Sequence, residues 1–126
     1  MGKLLIIDNS TTGKFLQGSL QKENYDVELK EDVGEAISHK DKNSIDIIIA
    51  SLMSGGNEVE VIDSLYNLIT NYNNSKIIIT TNLAEAGIKT ELTDREVYKE
   101  FTHLNTSDPK ILSKIKEEVN KFYKKS

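Results

Sequence analysis

The chain has 126 residues, one domain's worth, with 20 acidic side chains against 16 basic ones and a formal net charge of −4. An acidic balance without a basic cluster gives nucleic acid no electrostatic footprint, no apolar run approaches the ~20 residues that cross a bilayer, and no export leader or lipid signal is legible. With no Cys there is no disulfide, thiol nucleophile or Cys-based metal site, and with only His39 and His103 no His-rich one, so a soluble, cytoplasmic domain over 1–126 is expected.

In chain order, Lys3-Leu4-Leu5-Ile6-Ile7-Asp8 opens with consecutive apolar residues, the pattern of a strand buried on both faces. A helix is predicted over 11–22, with Asn9 or Ser10 as N-cap and Leu16 and Leu20 facing inward, weakened by Gly13 and Gly18. Asn24 suits the left-handed conformation that ends a helix, and Tyr25-Asp26-Val27-Glu28-Leu29 alternates as a half-buried edge strand does. A short helix over 33–40 would bury Ala36 and Ile37. The third strand, Ile45-Asp46-Ile47-Ile48-Ile49-Ala50, is the most hydrophobic and reads as central, ending at Ser51.

After the loop Leu52-Met53-Ser54-Gly55-Gly56, residues Val61, Ile62, Leu65, Leu68, Ile69 and Tyr72 recur at helical spacing, predicting a helix over 58–72. Lys76-Ile77-Ile78-Ile79-Thr80 reads as a fourth buried strand and 83–88 as a short helix. A fifth strand is expected over 96–103, where charged and apolar side chains alternate, the charges guarding an exposed sheet edge. The last helix is predicted to start at Asp108-Pro109, an N-cap followed by proline at the first helical position. It presents Ile111, Ile115, Val119 and Phe122 on one stripe and ends in Lys121, Lys124 and Lys125.

Five β-α units in alternation predict a doubly wound α/β domain, a parallel sheet with helices on both faces. Ligands of such folds sit outside the carboxyl ends of the strands. That rule nominates Asp8, Asn9, Ser51, Leu52, Met53, Thr80, Thr81 and His103.

Laid out this way, the chain resembles the receiver domain of two-component response regulators from end to end. Asn24-Tyr25-Asp26-Val27, followed by Glu31-Asp32 and Glu35-Ala36-Ile37, is similar to the family's GYEV...EDGEEAL segment. Ser44-Ile45-Asp46-Ile47-Ile48-Ile49 is similar to its PDLIILD strand, and Ile77-Ile78-Ile79-Thr80 to its IxxLT strand. The intervals also agree: 43 positions from Asp8 to Ser51, 29 to Thr80 and 23 to His103. The resemblance implies a flavodoxin-like (βα)5 fold of strand order 2-1-3-4-5 and a role in signal transduction with other signalling proteins as partners.

The resemblance also implies where the family's chemistry would sit, and here the residues depart from it. The family carries a phosphoryl-accepting aspartate on the third strand, an acidic pair that holds Mg²⁺, a Thr or Ser after the fourth strand and a Lys after the fifth. This chain has Ser51 at the acceptor position, Asp8-Asn9 for the acidic pair and His103 at the position aligned with the lysine. Gly55 replaces the proline of the following loop, and Thr80 and one acid remain. Mg²⁺ prefers hard carboxylate oxygens, and each carboxylate lost at ~4 Å removes on the order of several kcal/mol even at an effective dielectric of 20. The expectation is therefore a pseudo-receiver: a stand-alone, phosphorylation-independent interaction module, not an enzyme, with no cofactor and at most weak Mg²⁺ binding at Asp8. The expected interaction surface is the fourth helix, fifth strand and last helix, through Tyr98, Glu100 and Thr102, with a homodimer as one use of it.

Two other readings stand beside this one. The pocket of Asp8, Asn9, Ser51 and Thr80 could sense an ion or small ligand. A Ser-His-Asp hydrolase would need His103 to reach Ser51 across an intervening fourth strand, roughly 10 Å at ~4.8 Å per strand, and Ser51 has no Gly-x-Ser-x-Gly elbow. The bland alternatives are Asp8 accepting backbone N–H bonds from the next turn, His103 capping an edge strand, and Gly55-Gly56 as turn chemistry.

Overall fold

The computed structural model describes residues 2–39, 41–52 and 58–124. Five parallel strands, β1 (Lys3–Ile7), β2 (Asp26–Lys30), β3 (Ile47–Ser51), β4 (Lys76–Thr81) and β5 (Thr102–Asn105), form one sheet of order β2-β1-β3-β4-β5. Between and after them run α1 (Thr11–Gln21), α2 (Val33–Ile37), α3 (Glu58–Asn71), α4 (Glu85–Asp94) and α5 (Ile111–Lys124). The doubly wound architecture and strand order expected from the sequence are present, with β3 at the centre.

Each sheet face carries its own core, because side chains alternate along every strand. Leu5, Ile7, Ile48, Ala50, Ile77 and Ile79 pack with Val61, Ile62, Leu65, Ile88 and Leu92 of α3 and α4. On the other face Leu4, Ile6, Ile47, Ile49 and Ile78 meet Leu16 and Leu20 of α1 and Ile115 and Val119 of α5. Tyr72 is fully buried beside α3 because its hydroxyl donates to the Ala36 carbonyl, which satisfies both polar groups away from water.

Several boundaries differ from the sequence reading. α2 ends at Ile37, followed by a single 3-10 turn at Lys42–Ser44, and α4 extends to Asp94. α5 begins at Ile111, since Asp108 folds a turn of its own: its carboxylate accepts from the Lys110 N–H and pairs with the Lys114 amine. Pro109 lies in that turn and not at the first helical position.

The largest correction concerns the fifth strand, which occupies Thr102–Asn105 and not 96–103. The cause is the end of α4. Glu96 adopts a left-handed φ of 62°, its N–H bonds the Thr93 carbonyl, and the Val97 N–H bonds the Leu92 carbonyl. This is a Schellman-type stop built on a glutamate, where glycine is the usual residue. The chain then runs without regular structure until Thr102, and Tyr98 and Glu100 lie ahead of the strand rather than on it.

Candidate functional site

At the carboxyl end of the sheet, a cleft of about 540 Å³ opens where β1 and β3 meet the loop before α2 and the first turns of α3. Asp8, Asn9, Ser51 and Leu52 line its sheet side, and Glu31, Asp32, Glu60 and Asp63 supply further acids. The structure therefore brings together four of the nominated residues, Asp8, Asn9, Ser51 and Leu52. Met53 and Gly55-Gly56 lie outside the described residues.

Asp8 immediately follows β1, whose pairing is prolonged by its own N–H to the Lys30 carbonyl at 3.0 Å. Its carboxylate turns back on the chain: Oδ1 accepts from the Ser10 N–H at 2.8 Å and from the Ser10 hydroxyl at 2.7 Å. Ser10 is the N-cap of α1 by its backbone, yet its side chain makes no bond to the helix. Gly13 explains how α1 comes so close, since a Cβ there would lie 2.7 Å from the Asp8 Cβ. The glycine that weakens α1 in propensity terms is thus required by the approach of the helix to Asp8.

Ser51 is the last residue of β3, in register with Thr80, and the Leu52 N–H bonds the Thr80 carbonyl at 2.8 Å. Thr80 is 8% exposed and Thr81, the final residue of β4, is fully buried with its hydroxyl oxygen accepting from the Leu83 N–H. Neither threonine lines the acidic cleft.

His103 is not at the sheet's end. It pairs with Ile79 inside β5, and its Nε2 donates to the Leu83 carbonyl at 2.8 Å, so that nitrogen carries a proton. Its Nδ1 lies 3.9 Å from a Glu85 carboxylate oxygen. The ring ties β5 to the start of α4, with β4 between it and Ser51, an arrangement that offers no serine–histidine contact. The residue at the carboxyl end of β5 is Asn105, paired with Thr81, and its Oδ1 accepts from the N–H and hydroxyl of Ser107. Sequence reasoning missed Asn105 because it followed the alternating charges of 96–103.

The acids of the cleft are divided among local tasks. Asp32 accepts from the Glu35 N–H at 2.9 Å as the N-cap of α2, and Glu35 accepts from the Glu31 N–H at 3.3 Å. Asp63 pairs with Arg95 at 2.7 Å. Among the described residues no three His, Asp or Glu side chains are grouped as a metal site. The acids of this wall come from segments far apart in the chain, Glu31-Asp32 before α2 and Glu60 and Asp63 on α3, and nothing in the sequence sets them opposite Asp8.

Of the nominated interaction residues, Tyr98 is 74% exposed, Glu100 is exposed and Thr102 is half-buried at the start of β5. Between them, Lys99 turns inward and donates to the Tyr72 carbonyl at 2.9 Å, and burial holds its amine below the ordinary lysine value.

No family model matches the chain, and no curated protein does. Solved structures do. The receiver domain of Francisella response regulator 1452 shares 21% identity at a TM-score of 0.72, over 99% of this chain and 98% of that one. The chain has the receiver fold. The Vibrio cholerae chemotaxis protein CheY4 matches at 24% identity and a TM-score of 0.64, over 94% of this chain and 98% of that one. A streptococcal redox sensor, from a family described as evolved from two-component response regulators, matches at 19% and 0.63, over 99% of this chain and 55% of that one. The receiver fold thus fixes which strand ends adjoin here, and the side chains at those ends decide the chemistry.

Proposed function

We propose that this receiver-like domain is an atypical, phosphorylation-independent protein-interaction module in signal transduction, without enzymatic activity of its own. The observation that carries this reading is that Ser51, at the end of the central strand where the receiver resemblance calls for an acceptor aspartate, shares its cleft with an Asp8 whose carboxylate is held by Ser10.

Phosphoryl transfer to a carboxylate relies on Mg²⁺ to neutralise charge developing on the transferred oxygens. The donors at the strand ends are one carboxylate, already accepting two hydrogen bonds, with the Asn9 amide and the Ser51 hydroxyl. This set does not fit a cation that favours several hard carboxylate oxygens. A serine hydroxyl also needs a base to attack phosphorus or carbonyl carbon, and His103 is committed to Leu83 and β5. With no acceptor to charge, regulation falls to partner binding or abundance, and the signalling partner of stated kind is another protein.

The test is incubation of the full chain with acetyl phosphate and Mg²⁺, followed by intact mass measurement. The expected spectrum holds unmodified chain alone; a stoichiometric phosphoryl adduct would overturn the reading.

A further inference from the structure

Away from the acidic cleft, a groove of about 310 Å³ runs between α3 and α4. Ile62 and Ile88 form its base and belong to the main core, at 4% and 1% exposure, while Val59 rises on the α3 side at 61%. Gly87, Ile88 and Glu91 of α4, with Ala84 and Arg95 at its two ends, fall at helical spacing along one wall. The groove is an apolar trough opening from the core to the surface, of a size for one or two aliphatic side chains.

Two observations point to what fits it. Gly87 sits inside a helix, where glycine costs about 1 kcal/mol relative to alanine. A Cβ at Gly87 would meet nothing within 4 Å, and its φ is not left-handed, so neither crowding nor backbone strain calls for glycine there. Its absent side chain instead leaves the wall of the groove open. The second observation is charge. Glu58 on α3 and Glu91 on α4 stand on opposite margins, and neither forms an ion pair with a described residue. Arg95, the one cation at the margin among the described residues, is neutralised by Asp63 at 2.7 Å and lies over the Tyr66 ring at 5.5 Å.

We infer that the α3–α4 groove docks a partner protein segment through an apolar side chain flanked by Lys or Arg. The apolar group seats against Ile62 and Ile88, and the cations meet Glu58 and Glu91. Apolar anchors in a pocket ringed by complementary charge are the usual form of a peptide-recognition hot spot. The inference rests on the reading of the domain as an interaction module and adds the surface and the partner's chemistry.

The test uses the full ¹⁵N-labelled chain and the acetylated, amidated peptide Lys-Arg-Leu-Leu-Arg-Lys, with a second peptide in which every cation is replaced by Glu. The basic peptide is expected to shift the amides of Val59, Ile62, Gly87 and Ile88 saturably, and the acidic one to leave them in place. Gly87→Leu, which fills the groove from a position free of clashes, is expected to weaken binding tenfold or more. Gly18→Leu, at an equally unhindered helical glycine elsewhere, should leave it unchanged, and thermal melts confirm that both variants fold. Glu58→Gln with Glu91→Gln should weaken binding several-fold and flatten its salt dependence. Equal affinity for wild type and Gly87→Leu, or no saturable shift in the groove, would overturn the inference. Shifts centred on Tyr98 and lost in Tyr98→Ala would overturn it while leaving the interaction reading intact. A Gly87→Leu variant that dissociates a dimer in sedimentation equilibrium would make a second copy the occupant and overturn it too. Contacts from residues 53–57 to Gly87 in nuclear Overhauser spectra would do the same in favour of the chain itself.

Discussion

The two ends of the sheet are held in different ways. At the amino end, side chains from distant parts of the sequence lock together. Asp46 accepts from the Lys3 N–H and the Tyr123 hydroxyl, Tyr25 stacks on Tyr123 and donates to Asn120, Ser75 donates to the Ile45 carbonyl, and Lys99 to the Tyr72 carbonyl. At the carboxyl end, long-range ties among the described residues are fewer, His103 to the Leu83 carbonyl and Asp63 to Arg95, and the turns are shaped by local bonds: Asp8 with Ser10, Asn105 with Ser107, Asp108 with Lys110, Thr81 with Leu83. Long-range bonds fix the relative positions of elements, whereas bonds between residues two apart shape one turn and leave its neighbours free. The amino end is therefore the anchor of the fold, and the carboxyl end is a surface whose turns can be changed singly.

Substitutions should sharpen that contrast. The largest loss is expected for Asp46→Ala, which removes the acceptor of the Lys3 N–H and of the Tyr123 hydroxyl and should lower stability by about 2 kcal/mol in denaturant titration. Gly13→Ala tests the one close approach at the carboxyl end. Its Cβ at 2.7 Å from the Asp8 Cβ should cost roughly 1–2 kcal/mol despite alanine's better helix propensity.

Glu28 adds a pH test at the anchored side. Burial works to raise its pKa, but hydrogen bonds from His39 at 2.7 Å and Lys3 at 3.2 Å outweigh it and hold the carboxyl below the ordinary 4.5. A carboxylate with a depressed folded-state pKa contributes stability above the ordinary value, lost as pH falls through the folded one. Glu28→Gln should thus lower stability at pH 7 by up to about 1 kcal/mol and converge with wild type below pH 4.5. Convergence on raising the pH instead would contradict this assignment. The smallest effect belongs to Ser51→Ala, within about 0.5 kcal/mol by thermal melting, because among the described residues its side chain makes no hydrogen bond. A loss above 2 kcal/mol would mean that the carboxyl end is as interlocked as the amino end.

How much of this was readable beforehand follows the same division. The buried strands announced themselves through runs such as Ile47-Ile48-Ile49-Ala50, and α3 through its apolar spacing, because burial on both faces leaves little sequence freedom. Asn24, at φ 71°, ends α1 as its residue type suggests, but Glu96 stops α4 from a residue type that carries no such signal, and the fifth strand was displaced with it. At the site, the strand ends placed Asp8, Asn9 and Ser51 correctly beside one another. What sequence could not supply was the facing wall of Glu31, Asp32, Glu60 and Asp63, nor that Asn105 and not His103 ends β5, since these depend on how helices seat against the sheet.

The central claim, that the carboxyl end holds no phosphoryl group, is tested most directly by titrating the ¹⁵N-labelled chain with beryllofluoride and Mg²⁺, which together mimic a bound phosphoryl group. The account predicts that the amides of Asp8, Asn9, Ser51 and Thr81 do not move in a saturable way. Saturable shifts of those four amides, dependent on both reagents, would contradict it.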